Sequence, residues 1–174
     1  HKIFAPRSLR GQTLAIVGYG SIGRELARLA DSLGMVVVAS KRDVMHPADN
    51  ESYTEPGLGD PEGEIPARLY PPEALRSMAA ICDYLVVTIP MTETNRHSLN
   101  DEIFDAMKPS SVLINVARGG VVDEAALITA LSQEKIRGAA LDVFEQEPLP
   151  SSSPLWNLDN VILSPHVSGY SINY

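Results

Sequence analysis

Short apolar runs rich in β-branched residues alternate along the chain with segments whose apolar residues recur at helical spacing. Six strands are predicted, at about residues 13–18, 35–39, 84–89, 111–116, 138–144 and 161–164. Strands that alternate with helices favour an open, mainly parallel sheet covered by helices on both faces. The pattern therefore predicts an α/β protein with a doubly wound parallel sheet in three layers.

Local signals place the ends of the predicted helices. The helix after the first strand should end at Gly34, a later one begins with a capping box of Ser98 and Asp101, and Asp123 caps another. Five apolar residues of the first helix share one face, which we expect to be buried: Ile22, Leu26, Leu29, Ala30 and Leu33.

The first strand runs into a glycine-rich sequence, Gly18-Tyr-Gly-Ser-Ile-Gly23, which a predicted helix follows directly. G-x-G-x-x-G between a strand and a helix is the dinucleotide-binding pattern of Rossmann-type domains. Gly18 permits a tight turn, Gly20 lets a pyrophosphate approach the backbone, and Gly23 lets the helix pack close to the strand. We predict a dinucleotide held at the helix start, the alternative being a glycine-rich turn without a cofactor.

The second strand ends in Ser40, Lys41, Arg42 and Asp43, where sites that prefer NAD commonly carry Asp or Glu. A carboxylate repels a 2′-phosphate, whereas lysine and arginine bind one. We interpret Ser40, Lys41 and Arg42 as cofactor contacts that favour NADP, with NAD as the other candidate. Alternatively, this is a solvated strand end, and Asp43 or backbone groups hold the ribose.

Residues 44–69 match neither a helix nor a strand, because prolines, glycines and acids dominate them. Loops of this length are often functional or mobile. The loop leaves the adenosine end of the predicted site, and we interpret it as a solvated acidic insertion.

Three side chains suited to acid–base chemistry follow the last three predicted strands. They are Arg118, Glu147 and His166, and ligands of such sheets bind where the parallel strands end. Arginine can hold a carboxylate, histidine can transfer a proton, and a neighbouring carboxylate orients the ring and favours its protonated form. With a nicotinamide, these groups could reduce a 2-keto acid. Each also has an ordinary structural explanation: a surface arginine, one acid among many and a core histidine.

Four segments, in this order, resemble the signatures of D-isomer-specific 2-hydroxyacid dehydrogenases: residues 13–23, 115–123, 140–148 and 164–169. The resemblance implies the NAD(P)-binding domain of an enzyme that transfers a hydride between NAD(P)H and a 2-keto or D-2-hydroxy acid. It implies that Arg118 binds the substrate, that His166 is the acid/base, and that Glu147 is the carboxylate partner of His166. Lys41 departs from the family, which usually has Asp there.

The resemblance also implies contacts with the cofactor. Backbone N–H groups of Ser21 and Ile22 would bind the pyrophosphate, and Asp142 would hold the nicotinamide carboxamide. Further contacts are expected from residues near the adenosine, the phosphates and the nicotinamide: Pro90, Thr94, Ala117 and His166.

A second, substrate-binding domain outside residues 1–174 is also implied, so we expect this chain to be an excised cofactor domain and a poor catalyst alone. Family members suggest a homodimer formed through this domain. Two alternatives remain: a non-catalytic NAD(H)-sensing corepressor module, and a hydride-transfer enzyme for formate or phosphite. Formate oxidation needs no Glu–His pair, so Glu147 counts against the latter.

The composition leaves small molecules as the expected binding partners. The 22 acidic and 14 basic residues give a net charge of −8, which argues against broad nucleic-acid binding. No apolar run is long enough to span a membrane. Cys82 is the single cysteine, and the histidine spacing matches no metal motif, so no metal is expected. Without a secretory signal pattern, we expect a cytoplasmic protein.

Overall fold

A single parallel sheet of seven strands, in the order β3-β2-β1-β4-β5-β6-β7, forms the centre of the molecule. The structure is a computed structural model, and it describes residues 7–49 and 55–170. The strands are β1 Thr13–Val17, β2 Val36–Ser40, β3 Arg68–Tyr70, β4 Tyr84–Val87, β5 Val112–Asn115, β6 Gly138–Leu141 and β7 Val161–Leu163. The helices are α1 Ser21–Ser32, α2 Leu75–Ala79, α3 Asp101–Ala106 and α4 Glu124–Ser132.

The helices form two layers, one on each face of the sheet. Leu14 of β1 is buried in a cluster with Ala27 of α1, whereas the adjacent Ala15 belongs to a second cluster. The second cluster draws on the other three helices through Met78, Phe104 and Leu127. Successive side chains of a strand point to opposite faces, so the two clusters lie on opposite sides of the sheet. The predicted α/β, doubly wound, three-layer architecture is confirmed.

The buried face of α1 differs from the predicted one. Gly23, Ala27 and Ala30 are buried, and Leu26 is half-buried. A Cβ on Gly23 would collide with a backbone carbonyl of the glycine loop, so the helix approaches the sheet closely, and only small residues fit between them. The prediction was therefore wrong for three large residues, which are 67, 47 and 53% exposed: Ile22, Leu29 and Leu33.

The described parts of this segment, residues 44–49 and 55–69, hold a strand and buried contacts that the sequence analysis did not predict. Arg68 pairs with Val38 and begins β3, a seventh strand at the edge of the sheet. The strand is only three residues long, too short for its periodicity to be recognised. Its last residue, Tyr70, is buried and lies beside Ser40.

Asp60 ties this loop to the glycine motif, which contradicts a solvated insertion. The carboxylate is buried and accepts a hydrogen bond from the Tyr19 hydroxyl, while the buried Arg24 guanidinium donates to the Asp60 and Pro47 carbonyls. Burial alone would raise the pKa of Asp60, but the hydrogen bond from Tyr19 and two from backbone N–H groups hold it below its ordinary value. The loop is therefore anchored beside the start of α1.

The two predicted caps had different outcomes. Asn100, not Ser98, caps α3, because its side chain accepts from the Glu102 N–H at 3.1 Å and the helix begins only at Asp101. Asp123 caps α4 as predicted, accepting from a backbone N–H at 3.0 Å. No helix in the described part of the chain is long and apolar enough to cross a bilayer.

Candidate active site

The glycine loop lies between β1 and β4, where the strand order changes direction. Gly18 has a φ of 104°, which L side chains rarely adopt, and a Cβ there would collide with Ile89. A Cβ on Gly20 would meet nothing within 4 Å, so open space lies beside the backbone at that residue. This point of a doubly wound sheet is where dinucleotides bind.

The start of α1 suits an anion. Ser21 and Ile22 form the exposed first turn, which holds no acidic residue, and Gly20 provides no side-chain cap in the described structure. The positive end of the helix dipole is therefore not neutralised by a side chain of that turn. The residues present fit the pyrophosphate of a dinucleotide.

The three residues predicted at the adenosine end have different surroundings. The Ser40 hydroxyl accepts from the Gly18 N–H at 3.2 Å, so it supports the glycine loop. Lys41 donates to carbonyls of the following loop, including that of Ala48 at 3.0 Å. Arg42 is exposed. Lys41 is thus held by the loop, and Arg42 is the more accessible cation.

Pro90 and Thr94 lie on the exposed loop after β4, on the other side of the switch point. The Pro90 carbonyl accepts from the Asn95 side chain at 2.7 Å, and the side-chain Oδ1 of Asn95 accepts from the Thr92 N–H at 2.7 Å. The Thr94 hydroxyl lies 3.0 Å from that of Thr92. Asn95 therefore shapes the loop that presents both predicted residues.

Arg118, Glu147 and His166 line a single cavity of about 280 Å³, as their positions after parallel strands predict. Its volume lies close to the lower end of the range of about 300–1,000 Å³ seen for ligand pockets. The remaining lining residues come from the same edge of the sheet: Met91, Arg96, Gly119, Gly120, Phe144 and Glu145.

Glu147 and His166 form a close pair, with Glu147 Oε2 lying 2.8 Å from His166 Nδ1. The other carboxylate oxygen accepts from the Phe144 N–H at 3.0 Å. The hydrogen bond with His166 is the main cause that lowers the pKa of Glu147 below its ordinary value, against a smaller effect of burial. Glu147 is therefore ionised at neutral pH, and no described residue bonds to the Nε2 side of the ring, which is left for another partner.

Asp142 holds the loop that carries His166. Its carboxylate accepts from the Ser164 hydroxyl at 2.6 Å and from the N–H groups of Val167 and Ser168, each at 2.9 Å. The bonded residues lie before and after His166 in the sequence, so these bonds hold the backbone on both sides of His166, whose φ is 55°. Burial alone would raise the pKa of Asp142, but the hydrogen bonds hold it well below its usual range. Asp142 thus orients the histidine loop whatever else it binds.

Asn115 and Gly119 position Arg118, a role that the sequence analysis missed. The Asn115 side chain accepts from the Ala117 N–H and donates to the Arg118 carbonyl, each at 3.1 Å. A Cβ on Gly119 would collide with the Phe144 backbone, so only glycine lets these loops approach. A lone amide at the end of an apolar strand was the available signal for Asn115.

A second Glu–His pair lies beside the cavity and was also missed. His97 Nε2 lies 2.9 Å from Glu145 Oε1, which accepts from the Glu124 N–H at 3.0 Å. In residues 7–49 and 55–170, no group of three or more His, Cys, Asp or Glu side chains is arranged to hold a metal ion. Each acid of the cavity thus lies close to a histidine, Glu147 to His166 and Glu145 to His97.

Comparison with known proteins agrees with this geometry. The family model for the NAD binding domain of D-isomer specific 2-hydroxyacid dehydrogenases matches residues 1–168. An (S)-sulfolactate dehydrogenase of Chromohalobacter salexigens is 39% identical over 160 residues, covering 92% of this chain and 47% of that protein. A glyoxylate reductase of Thermococcus onnurineus is 37% identical and covers 95% of this chain and 44% of that protein. The chain spans about half the length of these relatives.

Solved structures share the fold at similar identity. A phosphoglycerate dehydrogenase from Lactobacillus plantarum has a TM-score of 0.83 and 36% identity, covering 97% of this chain and 49% of that one. A D-isomer specific 2-hydroxyacid dehydrogenase from Xanthobacter autotrophicus, in complex with NADPH and MES, has a TM-score of 0.80 and 35% identity over 99% of this chain and 64% of that one. The chain therefore belongs to the D-isomer specific 2-hydroxyacid dehydrogenases and corresponds to their NAD-binding domain.

Proposed function

We propose that the protein transfers a hydride reversibly between NAD(P)H and a 2-keto or D-2-hydroxy acid. The observation that carries the proposal is the Glu147–His166 pair, 2.8 Å apart, in one cavity with Arg118. The names of the relatives, sulfolactate dehydrogenase and glyoxylate reductase, support the same class of reaction.

Each of the three side chains has a role in reduction. Arg118 binds the carboxylate of the keto acid and stabilises charge that develops on its carbonyl oxygen. His166 donates the proton from Nε2 to that oxygen, because Nδ1 is engaged by Glu147. Ionised Glu147 orients the ring through its contact with Nδ1. In oxidation of a hydroxy acid, His166 accepts the proton instead.

The residues around the glycine loop would hold the cofactor. Ser21 and Ile22 would bind the pyrophosphate through backbone N–H groups, and Asp142, which keeps acceptor capacity on Oδ2, would take the nicotinamide carboxamide. A bound nicotinamide would supply or accept the hydride at C2 of the substrate. Proposed contacts elsewhere along the cofactor remain those of the loops after the strands: Ser40, Lys41, Arg42, Pro90, Thr94 and Ala117.

We propose NADP as the preferred cofactor. Exposed Arg42 can contact a 2′-phosphate directly, while Lys41 adds positive charge from within the loop that it organises. The structural relative from Xanthobacter autotrophicus is a complex with NADPH, which supports this preference.

We further propose that residues 1–174 act together with a substrate-binding domain that is not part of this chain. We propose the cytoplasm as the place where the protein acts.

A panel of 2-keto acids, assayed on the full-length protein with NADPH and NADH in parallel, tests these proposals. We expect oxidation of the nicotinamide that depends on the keto acid, with a lower KM for NADPH than for NADH. The 174-residue chain alone should bind cofactor but turn over poorly.

Each outcome of the panel has a distinct meaning. Cofactor binding without turnover of any keto acid would contradict the proposed enzymatic activity and favour a sensing module. A lower KM for NADH would contradict the NADP preference alone. Rapid reduction by the isolated chain would contradict the need for a substrate domain.

We also propose that the chain pairs with a second copy through α1. Its exposed face carries Ile22 and Leu29 and continues to Leu33 just after the helix, an apolar stripe that water solvates poorly. Light scattering should give a molar mass of twice the 18.8 kDa of one chain, and Leu29→Glu should shift it toward that of the monomer. Met45→Glu, at another exposed apolar residue, should leave the dimer intact. A monomeric wild type would contradict this proposal.

A further inference from the structure

Arg96 lines the same cavity as Arg118 but, in the described part of the chain, is not paired with another side chain. Its side chain makes no hydrogen bond or ion pair with any residue in the described ranges 7–49 and 55–170. Its Nη1 atom lies 3.6 Å from the point that a Cβ on Gly120 would occupy. Gly120 follows Arg118 by two residues, so their Cα atoms are within about 7.6 Å of each other. Two guanidinium groups therefore approach one small cavity.

The space between them is open because residue 120 is a glycine. A Cβ there would lie 2.5 Å from the Met91 sulfur and 3.6 Å from Arg96. Any side chain would push Met91 away or fill the gap beside Arg96. The absence of a side chain at Gly120 thus keeps Arg96 accessible from the cavity.

Neither acid of the cavity forms an ion pair with these arginines in the described residues, although the charge of Arg118 contributes to the lowered pKa of Glu147. Glu147 lies 2.8 Å from His166, and Glu145 lies 2.9 Å from His97. Within the described residues, no carboxylate lies at ion-pair distance from Arg96 or Arg118. Two neighbouring cations repel each other, and a bound anion at each relieves that repulsion.

We propose that Arg96 binds a second anionic group of the substrate, and that the protein prefers short 2-keto acids whose side chain carries a carboxylate, sulfonate or phosphonate. This inference rests on the proposed function, in which Arg118 takes the carboxylate at C1. The planar guanidinium of Arg96 can bind an oxyanion through two hydrogen bonds. A keto acid with one anionic group leaves Arg96 without a partner and gains nothing from it.

The test compares substrate preferences of the full-length protein. We expect kcat/KM to be higher for oxaloacetate and 3-sulfopyruvate than for pyruvate. Arg96→Leu should lower that preference ratio by about 10–100-fold, as expected for the loss of a charge-assisted hydrogen bond. Arg96→Lys should restore part of the ratio, because it keeps the charge but not the planar fork.

Arg76→Leu is the matched control, since Arg76 is exposed on α2 and its loss changes net charge equally. This control should keep the wild-type ratio. An unchanged ratio in Arg96→Leu, or an equal loss for pyruvate and the dianions, would overturn the proposal. The three dianions together show which anionic group the site prefers: oxaloacetate, 3-sulfopyruvate and phosphonopyruvate.

A binding measurement separates this inference from the proposed function. Malonate, a dianion, and acetate, a monoanion, are titrated by calorimetry into the full-length protein saturated with oxidised cofactor. We expect tighter binding of malonate, and Arg96→Leu should remove the difference. Equal affinities in the wild type would contradict the second anion site even if keto acids are reduced. Selective malonate binding without turnover of any keto acid would support the second anion site and contradict the proposed hydride-transfer activity.

Discussion

Replacing His166 with alanine is expected to lower kcat for keto-acid reduction by about 10²–10⁴-fold, the usual contribution of a positioned acid or base. The imidazole is the group in the cavity that can donate a proton to the carbonyl oxygen near neutral pH. The glycine loop and the start of α1 do not depend on it, so the Kd for NADPH should change little. Steady-state kinetics and fluorescence titration of the cofactor measure the two quantities on the same protein.

His46→Ala is a suitable control for that experiment. His46 is also paired with a carboxylate, Asp43 at 2.7 Å, but it is exposed and lies on the loop after β2. This variant should retain wild-type kcat. A His166→Ala protein with nearly full kcat would remove His166 from the role of acid/base.

Replacing Asp142 with asparagine should lower the free energy of unfolding by about 2–4 kcal/mol, because the N–H groups of Val167 and Ser168 would face an amide that carries donors. This carboxylate accepts from the Ser164 hydroxyl and from the N–H groups of Val167 and Ser168, and the Ser168 side chain also bonds to it. Their loss also releases the loop that orients His166, so kcat should fall together with stability. Urea unfolding without cofactor gives the first quantity, and kinetics of the full-length protein gives the second.

The destabilisation should depend on pH in a defined direction. The folded-state pKa of Asp142 is depressed, so its contribution is fully present above the ordinary carboxyl pKa of about 3.9 and is lost as the pH falls toward the folded-state value. The difference between wild type and Asp142→Asn should therefore be constant near neutral pH and shrink below about pH 4. Asp159→Asn, at an exposed position, should show little change at any pH. A difference that grows on acidification would contradict the role assigned to Asp142.

Features that depend on residues close together in sequence were predictable. The glycine loop, the cap at Asp123 and six of the seven strands follow from local turn chemistry and apolar runs. The convergence of Arg118, Glu147 and His166 also followed, because parallel strands deliver their ends to one edge of the sheet. Each of these inferences needed only the type of an element and its direction.

Features that depend on packing distance were not predictable. Periodicity identifies a helix but not how closely it approaches the sheet, so it selected Leu29 for the core when the gap admits small residues such as Gly23, Ala27 and Ala30. Asp60 is buried because Tyr19 and Arg24 satisfy its polar groups from a segment about 40 residues away. The sequence of the acidic loop alone does not show that distant residues supply these hydrogen-bond partners.

The sequence by itself determined the doubly wound sheet, the place of the dinucleotide and the family. The alternation of strands and helices and the residues of the loops can be recognised from local patterns and motifs. Only the tertiary structure decided which polar groups meet. It brought the expected Glu147–His166 pair to 2.8 Å, bonded Asp142 to the loop around that histidine, and left Arg96 beside Arg118 without a partner in the described chain. Partners of this kind are brought together by long-range folding, and a charge is free or engaged only once those neighbours are in place.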